Sequence, residues 1–357
     1  MSFNFEVTHK SLVQVHVGSG LLKEAGTILQ WAGVKTKAIV ITHDEVNELY
    51  GATVKHALES AGIECKFVSI PSGEHYKQWN TIVRILPILK YEKMDRSCAI
   101  GSLGGGVAGD LAGYLASVYM RGLKLFHIPT TLLAQVDSAL GGKTAVNYQK
   151  DKNILGTYYQ PCAIIADVDT LQSLPEREVA AGMGEVVKTA LLEGDEFLGV
   201  LEGTWAQYIV PLQGIVERCL RFKSSIVMQD ELDFGLRQQL NLGHTFAHAF
   251  EGAGEFTALN HGEAVGLGLL CALRLSQIKL GCDPELEQRT RNLLQKFGLP
   301  TTAEYTYQEL SKHLDSDKKR QEGKLRVIGL RRAGEYAVID NPRAEEVAEA
   351  LEAVRSS

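Results

Sequence analysis

The stretch C-A-I-G-S-L-G-G-G-V-A-G-D, residues 98–110, sets the fold class. Cys98–Ser102 reads as a short strand, and the glycines after it open a helical pattern. Gly104, Gly106 and Gly109 fit G-x-G-x-x-G, in which missing side chains let backbone N–H groups approach a pyrophosphate at a helix N-terminus. The acidic residue expected about 20 positions on is absent, because the chain over 123–131 runs L-K-L-F-H-I-P-T-T. The motif also follows a late strand rather than the first. On these residues alone, a pyrophosphate turn and a merely tight turn weigh equally.

Working outward, five more short runs read as strands: Val13–Val17, Lys37–Thr42, Cys65–Ile70, Leu125–Pro129 and Ala163–Asp167. Strands alternating with helical patterns imply a mostly parallel, Rossmann-like α/β sheet. Beyond Ser173, which reads as a helix cap with Pro175 in the first turn and Glu176 three residues on, the pattern turns α-helical. Helices are expected near 176–193, 210–229, 239–251, 262–281 and 285–297, with a hairpin from Lys324–Leu330 and Glu335–Ile339. A chain of 357 residues exceeds what one core supports. We therefore expect a nucleotide-binding α/β domain over 1–174, a mainly helical domain over 175–357, and a cleft between them.

Composition narrows the function class. The net charge of -6 argues against a nucleic-acid binder, whose footprint would be basic. The six cysteines include no CxxC pair, so they suggest neither a disulfide framework nor a thiolate zinc site. No apolar run approaches about 18 residues, so no membrane partner is expected. The N-terminus, M-S-F-N-F-E-V-T-H-K, lacks the order of a signal peptide, and the expected compartment is the cytoplasm.

In the second half, Arg237, Asn241, His244 and His248 fall at the i, i+4, i+7, i+11 spacing of a buried helix face. Polar groups there suggest a reactive cavity, with Leu236, Leu240, Ala247 and Phe250 as the apolar anchor and Gly252 as the stop. His261-Gly-Glu263 opens the next helix. Histidines four apart can grip a divalent metal, although such a pair is more often two surface histidines. In the first half, Pro71–Lys77 and Pro129–Thr131 follow strands where α/β proteins place ligand loops, and the lysines, asparagine and aspartates of the flexible loops Asp137–Thr144 and Asp151–Asn153 suit a phosphorylated, hydroxyl-rich ligand.

Taken together, G-G-G-V-A-G-D, R-G at Arg121, P-T-T-L-L-A-Q-V-D-S, G-G-K-T, K-N, Y-Q-P at Tyr159, G-M-G-E at Glu185, N-L-G-H-T-F-A-H and H-G-E resemble the 3-dehydroquinate synthase family, over about residues 10 to 340. The resemblance implies a homodimer. It implies conversion of the sugar phosphate 3-deoxy-D-arabino-heptulosonate 7-phosphate to 3-dehydroquinate and phosphate, with NAD and a divalent metal, zinc or cobalt. Oxidation at C5 acidifies the C6 proton, phosphate leaves from C7, hydride returns, and an intramolecular aldol closes the ring.

The resemblance implies Glu185, His244 and His261 as metal ligands, and sets His248 aside as a substrate-facing catalyst. It implies substrate contacts for Lys188, Asp137, Lys143, Asn153 and Asn241, with Lys223 and Arg237 on the carboxylate. Arg121 goes to the neighbouring subunit's phosphate site, and Lys318 also meets substrate. Glu74, Lys77, Gly105, Gly106, Val107, Asp110, Thr130, Thr131, Lys143, Lys152, Thr170 and Ser173 are implied for NAD. Departures from the pattern occur at His43, beside Asp44, and at Ala139, Ser173, Gly184 and Ala247. The rivals are another sugar-phosphate cyclase, such as a 2-deoxy-scyllo-inosose or valiolone synthase, and a metal-dependent polyol dehydrogenase. The dehydrogenase would leave the basic set of Lys143, Lys188, Lys223 and Arg237 without purpose.

Overall fold

The structure is a computed structural model that describes residues 10–149, 151–203, 212–254, 258–320 and 323–355, with the backbone alone for 315–320. The chain forms two compact units. Met1–Thr130 and Ser138–Gln172 make the first, while Thr131–Asp137 groups with Ser173–Ser357 in the second.

The strands of the first unit are β1 (Gln14–Gly18), β2 (Lys37–His43), β3 (Glu64–Ile70), β4 (Ala99–Gly104), β5 (Lys124–Pro129), β6 (Lys143–Tyr148), β7 (Asp151–Tyr158) and β8 (Ala163–Asp167). Its helices are α1 (Ala25–Trp31), α2 (Asp44–Val46), α3 (Ala52–Ser60), α4 (Trp79–Tyr91) and α5 (Gly106–Val118). Six strands form one parallel sheet in the order β1-β8-β5-β4-β2-β3. All six are the strands expected. The run K-A-I-V-I-T-H of β2 shows why a near-continuous apolar stretch is needed, since Ala38 and Val40 pack in one layer with Ile28, Val54 and Leu58. Ile39 and Ile41 pack on the opposite face with Ile82, Leu111 and Leu115. Strand order reverses between β2 and β4, so their carboxyl ends, at His43 and Gly104, border the switch point where open sheets take ligands.

Lys143–Thr144 and Asp151–Asn153, expected in flexible loops, lie instead within residues 143–158. Those residues form an antiparallel ribbon, β6 with β7, turned at Gln149, where φ is 56°. Val146 and Leu155 supply its apolar anchor against the layer that holds Leu111 and Leu115. The glycines and lysines leading into the ribbon hide that short alternation.

The second unit contains α6 (Glu176–Glu193), α7 (Asp195–Glu202), α8 (Leu212–Val227), α9 (His244–Ala253), α10 (His261–Leu280), α11 (Pro284–Lys296), α12 (Tyr307–Arg320) and α13 (Ala344–Leu351). The hairpin β9 (Arg326–Arg332) and β10 (Glu335–Asp340) completes it. Two local expectations are corrected. Ser173 does not cap α6: it ends a 3-10 segment, Val168–Ser173, and Pro175 stands at the cap position. Nor does one helix carry the polar stripe. Leu236–Asn241 is a separate 3-10 segment, and Gly243 (φ 79°) turns the chain before α9 starts at His244. A left-handed φ is cheap only for glycine, so the break is written at that residue.

Candidate functional site

Glycines bring three elements of the second unit to backbone contact. A Cβ on Gly262 would stand 1.9 Å from the Ala181 carbonyl oxygen, and one on Gly184 would stand 2.6 Å from that of Gly262, so α6 and α10 touch only because both lack side chains. Gly268 does the same on the other side of α10, where a Cβ would stand 2.2 Å from the Gly243 oxygen. Glu185 on α6 therefore lies close to His244 and His261, the first residues of α9 and α10. Asn260 and Glu263 form a capping box that fixes the start of α10, and Arg177 of α6 clamps the Glu263 carboxylate at 2.7 and 2.8 Å. Glu263 is thus occupied in holding the helix.

Glu185 Oε1 is 3.2 Å from His261 Nε2 and 3.5 Å from His244 Nε2, and the three donor atoms all lie within 4.8 Å of one another. Tetrahedral ligands with bonds of ~2.1 Å stand about 3.4 Å apart. The donor set of one carboxylate and two imidazoles suits zinc chemistry, leaving a fourth position for another oxygen. His248, one turn after His244, is exposed; its ring lies 5.9 Å from that of His244, outside the triangle.

Buried charge surrounds the triangle. Lys188 lies one turn after Glu185, with Nζ 2.5 Å from Glu185 Oε2 and 3.7 Å from Asp137 Oδ1. Lys223 on α8 reaches Asp137 Oδ1 at 3.0 Å and donates to its carbonyl at 2.7 Å. Burial opposes ionisation of Glu185, yet Lys188, His244 and His261 outweigh it and hold the carboxyl well below its usual range. Burial likewise opposes the Lys188 charge, but Asp137 and Glu185 hold its pKa above the ordinary value. Lys223 is shifted down by burial, which Asp137 only partly offsets. The histidines divide. Burial and then Lys188 push His244 down to about 3, whereas Glu185 and Glu251 overcome burial and push His261 up to about 10.

Other expected site residues of this unit are placed as follows. Arg237 is 2% exposed in the 3-10 segment; its guanidinium donates to the Glu231 carbonyl and its backbone N–H to Asp230 Oδ2. Asn241 ends that segment, half-buried. Thr131 Oγ1 accepts the Ala134 N–H, which starts the π-helical turn Ala134–Ser138 that carries Asp137. Ser173 is exposed, and the side chain of Lys318, on α12, lies outside the described residues.

In the first unit a second cluster lies beside the glycine-rich turn. Gly105 caps α5, Gly106 and Val107 begin it, and Gly104 takes φ 152°. Lys77, 6% exposed, pairs with Asp110 at 3.0 Å and Glu74 at 3.1 Å. Burial opposes its charge, but the two carboxylates outweigh it and raise the pKa. Asn147 donates to Glu74 and accepts the Asn153 N–H, at 3.1 and 2.8 Å. His43 is buried with Nδ1 3.2 Å from the Ile70 carbonyl oxygen. Thr130 and Thr170 are buried: the Thr130 N–H donates to Gly104 and the Thr170 hydroxyl to the Asp167 carbonyl. Lys143 and Lys152 lie on the ribbon. Arg121 is exposed in the turn after α5, where Met120, Arg121 and Gly122 all have positive φ.

Sequence reasoning passed over Asn147, Arg177 and Glu251. Asn260-x-x-Glu263 carried a readable capping signature; Glu251 carried none.

A Rossmann-like sheet with a glycine-rich turn at its switch point, and a helical unit with a carboxylate–imidazole triangle, set the chain among two-part enzymes of metal-assisted chemistry. Family models narrow this. The model described as 3-dehydroquinate synthase N-terminal matches residues 67–181, and 3-dehydroquinate synthase C-terminal matches 182–320. A 3-dehydroquinate synthase of Dehalococcoides mccartyi is 40% identical over 349 residues, covering 96% of this chain and 96% of its own. One of Neisseria meningitidis is 40% identical over 331 residues, covering 91% and 92%. The chain belongs to the 3-dehydroquinate synthase family. It is an enzyme, a carbon–oxygen lyase that eliminates phosphate.

Among solved structures, a 2-epi-5-epi-valiolone synthase from Streptomyces hygroscopicus with NAD+ and Zn2+ bound matches with TM-score 0.87 and 26% identity, covering 99% of this chain and 98% of that one. A 2-deoxy-scyllo-inosose synthase complexed with carbaglucose-6-phosphate, NAD+ and Co2+ matches at 0.82 and 25%, covering 95% of each. The rival cyclases are thus more distant than the dehydroquinate synthases. An NADH-dependent butanol dehydrogenase from Thermotoga maritima, 15% identical with TM-score 0.68 and covering 99% of each chain, shares the fold.

Proposed function

We propose that the chain converts 3-deoxy-D-arabino-heptulosonate 7-phosphate to 3-dehydroquinate and phosphate, with NAD at the glycine-rich turn and a divalent cation, zinc or cobalt, held by Glu185, His244 and His261. The observation that carries the ligand assignment is the triangle itself: three donor atoms within 4.8 Å of one another, on three elements locked by glycine contacts. The NAD+ with Zn2+ or Co2+ in the two related cyclases supports the cofactor pair. When bound, the cation would acidify a substrate hydroxyl and the nicotinamide would supply reversible hydride transfer, with a net redox change of zero.

The chain's own residues bind, orient and move protons. Lys188, charged and buried between Glu185 and Asp137, donates to substrate hydroxyls next to the triangle. Lys223 and Arg237, both buried cations, take the substrate carboxylate. Asp137, Lys143, Asn153, Asn241 and Lys318 hold hydroxyls or phosphate, and the exposed His248 serves proton transfer near the phosphate. Glu74, Lys77, Gly105, Gly106, Val107, Asp110, Thr130, Thr131, Lys143, Lys152, Thr170 and Ser173 hold NAD. The resemblance also implies a homodimer in which Arg121 completes the partner's phosphate site, and the expected compartment is the cytoplasm. Among the described residues no helix is long and apolar enough to cross a membrane.

The test is incubation with the heptulosonate phosphate, NAD and Zn2+. Inorganic phosphate should appear without accumulating NADH; sustained NADH production would identify a dehydrogenase instead.

A further inference from the structure

His261 meets a carboxylate at each ring nitrogen. Nε2 lies 3.2 Å from Glu185 Oε1, and Nδ1 lies 3.2 Å from Glu251 Oε1. Nε2 is the nitrogen turned to the oxygen that His244 Nε2 also approaches, at 3.5 Å, so it is the nitrogen available to an ion shared by the three. Nδ1 is turned to α9. Glu251 lies two turns after His244 on that helix, so one helix brings both a ligand and the carboxylate that engages a second ligand. Its side chain is only 11% exposed, so the contact is largely removed from water. The partner of His244 differs in kind: its Nδ1 faces a neutral group, the Leu242 carbonyl, at 3.2 Å.

We propose that Glu251 is a positioning residue of the metal centre: when a cation takes the place of the Nε2 proton of His261, Glu251 accepts the Nδ1 proton, holds the ring in place and makes Nε2 the stronger imidazole donor. This rests on the reading of Glu185, His244 and His261 as metal ligands. A hydrogen-bonded carboxylate behind a ligand imidazole restricts ring rotation and raises its basicity, and loss of such a partner weakens metal binding by roughly 10–100-fold. A neutral carbonyl partner gives orientation with less charge.

The experiment compares full-length wild type, Glu251→Gln, Glu251→Ala and His261→Ala, each stripped of metal and titrated with Zn2+ against a chelator. Co2+ absorption spectra and melting of the metal-free proteins are recorded alongside. Glu251→Ala should weaken Zn2+ binding roughly 10–100-fold, and Glu251→Gln, which keeps an acceptor without the charge, should fall in between. Both should alter the Co2+ spectrum while the metal-free proteins melt as wild type does. Wild-type affinity and spectra in both Glu251 variants, with metal lost in His261→Ala, would overturn the positioning role and leave the ligand reading standing. Lost affinity matched by an equally destabilised metal-free protein would reduce Glu251 to packing. Absence of one-to-one Zn2+ binding in wild type would overturn the ligand reading itself.

Discussion

Replacing Gly262 with alanine tests whether the proposed metal centre depends on the close approach of α6 and α10. The added Cβ would stand 1.9 Å from the Ala181 carbonyl oxygen, and real Cβ contacts essentially never fall under 3.0 Å. The obstacle is backbone on one helix and backbone-attached carbon on the other, so no side-chain rotation relieves it. The helices must part by about 1.1 Å, the difference between those two distances. Glu185 and His261 ride on the two helices, and their donor atoms are 3.2 Å apart. Metal–ligand distances tolerate only ~0.2 Å, so the displacement puts one donor out of reach. Zn2+ affinity should fall at least roughly tenfold, with an overpacking cost of ~1–3 kcal/mol in the metal-free protein. Chelator competition and chemical denaturation measure the two effects. Gly199→Ala is the control, because that glycine lies on α7 with nothing within 4 Å of its would-be Cβ. A folded Gly262→Ala protein with wild-type Zn2+ affinity would refute the argument.

Two further outcomes concern histidines. His261→Ala should lose bound metal, whereas His248→Ala should keep it and lose turnover, as read by metal analysis and phosphate release; equal metal loss in both would return His248 to the ligand set. His127 in β5 is buried beside Ser102, with Nδ1 2.7 Å from its hydroxyl oxygen, and burial pushes its pKa down from 6.5 to about 4. Its folded pKa lies below the unfolded one, so the unfolded chain takes up the proton first. The His127 contribution is therefore intact above about pH 6.5 and is lost as pH falls toward about 4. Near pH 5 the loss is about 2 kcal/mol, because each pH unit over which only the unfolded chain holds the proton costs ~1.4 kcal/mol. Denaturation curves near neutral pH and near pH 5 should show this extra sensitivity in wild type and not in His127→Gln; the same sensitivity in both would assign it to other groups.

The parallel sheet was legible because its central strands are buried on both faces and read as short apolar runs, Ala99–Gly104 and Ala163–Asp167 among them. The β6–β7 ribbon was not. Its pairing is set by long-range packing of Val146 and Leu155, while its local composition is that of a loop. The stripe from Arg237 to His248 shows a different limit. A 3.6-residue period assumes an unbroken helix, and the break at Gly243 is a single positive-φ glycine inside an otherwise helical composition. The spacing within α9 still carried information about His244 and His248. It held none about Glu185, which comes from α6 and entered only through the family resemblance.

One signal of the site was present in the sequence without any family. Glycine in a helix interior costs about 0.5–1 kcal/mol relative to alanine, so a soluble helix needs a reason to keep several. Helix α6 has Gly182 and Gly184, and α10 has Gly262, Gly266 and Gly268. In the structure a Cβ on Gly182 would meet Leu132 at 2.5 Å, and those on Gly184, Gly262 and Gly268 would meet backbone oxygens at 2.6 Å or less. Those contacts cluster around the residues that carry the carboxylate and the two imidazoles. Helical glycines set beside titratable groups thus mark where helices approach closely enough for the donor atoms of one carboxylate and two imidazoles to come within 4.8 Å of one another. Read that way, G-M-G-E and H-G-E point to the same place as the histidine spacing, and they add the carboxylate that the spacing left out.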